Sequence, residues 1–381
     1  MVRNIMIITG SRGEYGYIKP IIEKIKDDDL LDYTIVATNM LLLPEFGYAV
    51  NNFLKDDIEV KYKIDMAMDG YSNASMVKSL GIFLVSLTDI VNNDRPSMIL
   101  LAGDRGEQIV GAIVGAHLNI PVAHIQAGEL SGNIDGMTRH AITKYAHLHF
   151  ASNYDAEERL HKMGEQAFRI FNTGAPQLDD FQTYKYWGKK EFFKKYNLDI
   201  NRGYALVVQH SITEESDASK TQMDITLQAL KALSKQAIII YPNNDAGSAG
   251  IQQAIHDNKI IDFHIERNVG RGDYANMMKH ADFIIGNSSS GILEAPTFRL
   301  PCINIGRRQM GRVQADNIIN VDFIKKDIIK AIHKIYIDEE YLEKLKYVEN
   351  PYGDGNSSQR ICDIMKSIEI DAKLINKELA Y

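Results

Sequence analysis

The chain has 381 residues, 45% hydrophobic and 24% charged, with a formal net charge of −7. Single cores stop growing at roughly 250–300 residues, so this length predicts two domains. The ordinary composition excludes a disordered chain, and the acidic balance lacks the basic footprint of a nucleic-acid binder.

The opening run to Thr9 is too short for a signal peptide and reads as a first strand. Strand-like runs follow at Tyr33 to Thr38, Ser97 to Leu101, Pro121 to Ile125 and His147 to Ala151. Segments with apolar residues at helical spacing separate them: Tyr17 to Lys26, Asn73 to Val91, Glu107 to His117 and Asp155 to Met163. This alternation predicts an α/β domain on a parallel sheet over residues 1–172. The pattern restarts with strand Tyr204 to Gln209, helix Thr221 to Lys235 and strands Ala237 to Tyr241, Phe283 to Ile285 and Cys302 to Ile305. A second α/β domain is expected over 173–355, with charged helical segments from Lys325 to Lys346 and one last helix from Ser357 to Leu379. No apolar run reaches the roughly 20 residues of a membrane span. Cys302 and Cys362 are too few for a disulfide framework and fit a reducing, cytoplasmic setting.

In open parallel sheets ligands bind beyond the carboxyl ends of the strands, so residues just after each apolar run carry the functional weight. Strand one ends in Thr9-Gly10-Ser11-Arg12-Gly13-Glu14-Tyr15-Gly16, either a glycine turn with a solvated arginine or a phosphate site. Ser97 to Leu101 leads into Gly103-Asp104-Arg105, where Asp104 reads as a helix N-cap or as a site carboxylate. Pro121 to Ile125 leads through His124 and Gln126 to Glu129, and Asp135, Arg139 and His140 follow within a dozen residues. In the second half, His210 follows a buried strand, and Asn243 lies in a turn whose amides suit a base or ribose.

The strongest element is Gly286-Asn287-Ser288-Ser289-Ser290-Gly291, a strand, a small-residue turn and a helix start. Unpaired backbone N–H groups at a helix start suit phosphate oxygens, and the serines add hydroxyl donors. Glu294, about one turn on, is placed to accept from ribose hydroxyls, and Arg307, Arg308 and Arg312 offer cations.

Together the Thr9–Gly16 motif, Gly103-Asp104-Arg105, His124-Ile125-Gln126-Ala127-Gly128-Glu129, Arg139-His140, Gly286 to Gly291 and Arg308-Gln309-Met310-Gly311-Arg312 resemble the hydrolysing UDP-N-acetylglucosamine 2-epimerases of sialic-acid-type biosynthesis. The resemblance implies two Rossmann-like domains facing a central cleft, as in GT-B glycosyltransferases, with a C-terminal helix (356–381) crossing back to the first. It also implies a UDP-sugar substrate, no cofactor and no metal, and a homodimer or homotetramer without nucleic-acid or membrane partners. Such enzymes eliminate UDP to a 2-acetamidoglucal and add water, giving the manno sugar. Arg12, Arg105, Asn243, Ser288, Ser289, Ser290, Gly291, Glu294 and Arg308 fall at substrate positions. Asp104, Glu129, Asp135, Arg139 and His210 form the catalytic set. Two departures stand out: Gln126 replaces a glutamate of many relatives, and Tyr17 replaces a lysine of some. The expected substrate is UDP-N-acetylglucosamine, with UDP-N,N'-diacetylbacillosamine as the alternative. A non-hydrolysing epimerase, a GT-B glycosyltransferase and a nucleotide-sugar sensor are the remaining classes.

Overall fold

A computed structural model of the chain describes residues 2–44, 47–68, 73–130, 134–242, 247–267 and 269–381, excepting the side chains of Arg12, Asn73, Ile134, Asp135 and Thr213. The chain divides into two compact Rossmann-like units, Met1–Gln182 with Tyr352–Tyr381, and Thr183–Pro351.

The first unit holds parallel strands β1 (Arg3–Thr9), β2 (Leu31–Thr38), β3 (Tyr62–Ile64), β4 (Met98–Ala102), β5 (Val122–Ile125), β6 (Leu148–Ala151) and β7 (Ile170–Asn172), in the order β3-β2-β1-β4-β5-β6-β7. Successive side chains of a strand point to opposite faces. Thus Ile5 and Ile7 of β1 join the core beneath helix Arg12–Lys26, while Met6 and Ile8 join the core beneath helices Asn73–Asp94 and Gly106–His117. Burial on both faces is why these strands are nearly uninterrupted aliphatic runs.

The second unit holds β8 (Ala205–Val208), β9 (Ala237–Ile240), β10 (Phe263–Glu266), β11 (Phe283–Gly286), β12 (Cys302–Ile305) and β13 (Ile318–Val321), parallel in the order β10-β9-β8-β11-β12-β13. In each sheet the strand order reverses once, between β1 and β4 and between β8 and β11. In open α/β sheets ligands bind at such switch points, beyond the carboxyl ends of the strands. Both reversals coincide with the polar motifs singled out above.

Three expectations are corrected. The strand-like runs read from the sequence omit β3, β7, β10 and β13, which are short, 3 or 4 residues each, and form the four sheet edges, where one flank is unpaired and polar residues are tolerated. The segment from Ser357 is two helices, Ser357–Ser367 and Ala372–Ile375, rather than one. Asp371 starts the second by accepting from Leu374 N at 2.8 Å, and the fully buried Arg169 takes the carbonyls of Leu374 (2.7 Å) and Lys373 (2.8 Å) out of any continuing helical ladder. Finally, helix Asn73–Asp94 contains a 21-residue span, Ala74–Asp94, long and apolar enough to cross a membrane by length and composition, with an 18-residue window of mean hydropathy 1.6. Lys78 and Asp89 interrupt it. Phe83, Leu87 and Val91 are fully buried in the first unit's core, whereas Met76, Val77 and Val85 are exposed.

The first unit runs past Asn172 to Gln182 because that stretch is bonded to the returning chain. Ala175 N donates to the Tyr352 carbonyl at 2.6 Å, and the Asp179 carboxylate accepts from Ser357 N (3.1 Å) and Ser358 N (2.6 Å), satisfying orphan donors of the C-terminal helix.

Candidate functional site

At the first switch point, Thr9 and Gly10 end β1 and run into helix Arg12–Lys26. Ser11 and Glu14 form a capping box, and Glu14 Oε2 accepts from Gly10 N (2.6 Å), Ser11 N (3.1 Å) and Thr9 Oγ1 (3.2 Å). A β-carbon on Gly10 would lie 2.1 Å from Glu107 Oε1, so two buried carboxyls bracket this glycine. Burial, then the neighbouring Glu107, pushes the Glu14 carboxyl well above the usual range. Glu107 in turn holds Arg105, Nε to Oε1 at 2.9 Å, and accepts from Asn39 Nδ2 at 3.2 Å. Gln108 ties the two strands at the reversal, accepting from Ala102 N (3.1 Å) and donating to the Ile8 carbonyl (3.2 Å).

Arg139, on helix Ile134–Tyr145 and only 5% exposed, gathers the next elements. Its guanidinium pairs with the Asp104 carboxylate and donates to the Gln126 carbonyl at 2.7 Å. Gln126 has a φ of 59°, left-handed backbone that favours glycine, so the chain bends sharply where β5 ends. His124 on β5 bonds the Gly103 carbonyl at 2.6 Å. A carbonyl only accepts, so Nε2 carries the proton. Burial, with Arg139 nearby, depresses this imidazole to about 3, and it is neutral. Glu129 accepts from Asn153 Nδ2 at 2.7 Å, and Asn153 also caps helix Tyr154–Lys162 through Ala156 N at 2.9 Å. Asp104, Gln126, Arg139 and the Gly103 turn therefore form one connected group, with Glu129 anchored to the next helix. Tyr17 packs against the core rather than presenting a charge. The Arg12 and Asp135 side chains, and Asn243 altogether, lie outside the described residues.

At the second switch point, Gly286 has a φ of 136°, and a β-carbon there would sit 2.1 Å from the Val208 carbonyl oxygen. Only glycine lets β11 turn here. Asn287 binds reciprocally to His210: His210 N donates to Asn287 Oδ1 at 2.7 Å, and Asn287 Nδ2 donates to the His210 carbonyl at 2.8 Å. The Asn287 carbonyl receives Arg308 Nη1 (3.2 Å) and Gln309 Nε2 (2.9 Å). His210, Ser288 and Arg308 are thereby brought to one end of the sheet. The following helix, Ser289–Leu293, is only 5 residues long, so the serine hydroxyls outweigh its dipole as a source of positive potential. Glu294 ends that helix and pairs with Arg271 at 2.7 Å.

Sequence reasoning passed over Glu14, Glu107, Gln108, Arg271 and Tyr274. The Ser11-x-x-Glu14 spacing was a legible capping-box signal. The others contact residues distant in sequence and left no local pattern.

A family model described as UDP-N-acetylglucosamine 2-epimerase matches residues 23–366. The chain is 34% identical over 382 residues, covering 100% of both chains, to the UDP-N,N'-diacetylbacillosamine 2-epimerase (hydrolyzing) of Legionella pneumophila. It is 31% identical over 333 residues, 87% of both chains, to the UDP-N-acetylglucosamine 2-epimerase of Neisseria meningitidis. Its fold is similar to the crystal structure of a UDP-GlcNAc 2-epimerase from Neisseria meningitidis bound to UDP-GlcNAc, with a TM-score of 0.80, 17% identity, and coverage of 95% of this chain and 99% of that one. A switch-point architecture of this kind, matched from end to end in sequence, makes the chain a member of the UDP-N-acetylglucosamine 2-epimerase family.

Proposed function

We propose that the protein is a hydrolysing 2-epimerase of a UDP-linked 2-acetamido sugar. The carrying observation is the full-length similarity to a hydrolysing relative, whose 34% identity favours UDP-N,N'-diacetylbacillosamine as substrate. UDP-N-acetylglucosamine is the second reading, favoured by the 31% identical relative of that name. In this reading the second unit's serine turn, with Ser288, Ser289, Ser290, Gly291 and Arg308, holds the diphosphate, and Glu294 and Asn243 address the nucleoside. Arg12 and Arg105 add cations, and Asp104, Glu129, Asp135, Arg139 and His210 form the catalytic set.

Departure of UDP gives C1 oxocarbenium character, which acidifies the C2 hydrogen. A carboxylate removes that proton, the C1–O bond breaks toward UDP, and a 2-acetamidoglucal results. Water then adds its oxygen to C1 while an acid protonates C2 from the opposite face. Hydrogen-bond donors held on the diphosphate act where charge develops. Gln126, an amide, transfers no proton, so that work falls to the carboxylates.

Proton NMR of each sugar nucleotide incubated with enzyme in deuterated water tests both parts. Free UDP, a manno coupling pattern and deuterium at C2 are expected, and the faster substrate identifies the pathway type. Retention of the C2 hydrogen would refute the elimination route, and UDP release only on adding an acceptor would indicate a glycosyltransferase. We also propose a homodimer or homotetramer joined through the exposed side of helix Asn73–Asp94, because Met76 (66%), Val77 (69%) and Val85 (68%) are apolar and solvent-facing.

A further inference from the structure

Helix Arg271–His280 reaches the serine turn with two side chains one turn apart, Arg271 and Tyr274, which at i,i+3 spacing lie on one face. Tyr274 Oη lies 2.6 Å from Ser290 Oγ, and Ser290 Oγ donates to Ser288 Oγ at 2.9 Å. A hydroxyl has one proton. Since Ser290 gives its proton to Ser288, it accepts from Tyr274. Ser288 Oγ also accepts Ser290 N at 3.3 Å, which uses both of its lone pairs and leaves its own proton for an outside acceptor. Running the chain the other way would strand the tyrosine proton in a partly buried position. Burial, with Glu294 nearby, keeps the phenol protonated by pushing it well above its ordinary value.

A second observation points to a ligand at the same place. Arg271 holds Glu294 Oε1 at 2.7 Å, while Glu294 Oε2 is buried with no hydrogen-bond partner, in a side chain whose residue is 8% exposed. A buried carboxylate oxygen in a native site is expected to have a donor, and a ligand hydroxyl would supply it.

We propose that Tyr274 is a positioning residue for the nucleotide: it orders a Tyr274–Ser290–Ser288 hydroxyl chain whose terminal proton, on Ser288 Oγ, is directed at an oxygen of a nucleoside diphosphate. This rests on the reading that the serine turn receives UDP. Tyr274 touches no substrate. It acts by removing the rotational freedom of two serine hydroxyls, so that the donor is set before the ligand arrives. Arg271 does the same for the carboxylate one turn away.

Calorimetric titration of UDP into the full chain tests this with Y274F, S288A, S290A and the Y274F/S288A pair, alongside UDP release and melting temperature. Y274F removes one oxygen and keeps the ring. It should weaken UDP binding roughly threefold to tenfold, the range of a single hydrogen bond, without lowering the melting temperature comparably. S290A, which cuts the chain without touching the ring, should reproduce that loss. Y274F should add nothing in the S288A background, because its whole effect passes through Ser288. Wild-type affinity in Y274F and S290A, or additive losses in the pair, would overturn the proposal while leaving the UDP site intact. A wild-type chain that does not bind UDP, or S288A binding it unchanged, overturns the diphosphate reading and this proposal with it.

Discussion

Lowering the pH from about 7.5 to about 5 should weaken the first unit more than the second. His124, His147 and His149 are all buried there, at 0%, 4% and 0% exposure, and burial is the largest cause holding them down, to about 3, 4 and 4. In the unfolded chain an imidazole titrates near its ordinary value of about 6.5. Below that pH the unfolded state takes up protons that the folded state refuses, so stability falls as pH falls toward the folded values. At pH 5 the unfolded chain lies about 1.5 units past its midpoint. At about 1.36 kcal/mol per unit this costs about 2 kcal/mol for each histidine, so about 6 kcal/mol for the three is an upper bound, because the buried Glu14 carboxyl, held above its ordinary value, takes up a proton in the folded state over the same range and offsets part of the loss. That is a large fraction of the 5–15 kcal/mol typical of a folded protein. Glu165 adds to the slope only at lower pH: its carboxylate, bonded to His149 at 2.9 Å, is held at about 2, so its contribution is lost as pH falls below the usual carboxylate range.

The assay has an internal control. The single tryptophan, Trp187, lies in the second unit, so its fluorescence follows that unit, while far-UV circular dichroism follows both. Between pH 7.5 and 5 the dichroism should acquire an earlier transition, while the fluorescence moves less, by the share of His280, which bonds the Trp187 carbonyl at 3.0 Å and is held below its ordinary value by burial. H124Q, which keeps an N–H for the Gly103 carbonyl without a titrating group, should reduce the acid loss by about 2 kcal/mol, the contribution of one histidine. A first-unit transition unmoved by acid, or an unchanged slope in H124Q, would refute the reasoning. Because His124 holds the turn that carries Asp104, activity should fall in acid together with that transition.

Arg139→Lys cannot span both the Asp104 carboxylate and the Gln126 carbonyl, so steady-state assay should show kcat reduced by about 10²-fold with UDP binding retained. Glu129→Gln should nearly abolish turnover while calorimetry still detects UDP, whereas a nucleotide-sugar sensor would lose no function. Gly286→Ala places a methyl group 2.1 Å from the Val208 carbonyl at a φ of 136°, and should cost about 2–6 kcal/mol in the unfolding of the second unit, read by Trp187 fluorescence. Val85→Glu adds charge to the exposed apolar side of helix Asn73–Asp94; light scattering should show a smaller assembly than wild type, and an unchanged mass would remove that surface from consideration.

What the sequence determined by itself was whatever the backbone and near neighbours dictate. Aliphatic runs at β1, β4, β8 and β11 had to be buried on both faces, which required parallel sheets with helices on each side and located the polar residues at the strand ends. Gly286 and the serines after it announced a turn that only small residues allow. The tertiary structure decided what depends on contacts between distant segments. The edge strands β3, β7, β10 and β13 are only 3 or 4 residues long, too short to mark themselves out by pattern, and pairing with a neighbour fixes their extents. The final helix stops at Ile375, with Arg169, some two hundred residues earlier, holding its last carbonyls. Asp104, open from sequence alone as a helix cap or a site carboxylate, is not the cap, since Arg105 occupies that position, and its carboxylate pairs with Arg139. Tyr274 and Glu107 were invisible for the same reason. Hydrogen bonds such as Tyr274–Ser290 (2.6 Å) and Asn39–Glu107 (3.2 Å) join residues far apart in the chain, leave no periodicity, and form only when folding brings the partners together.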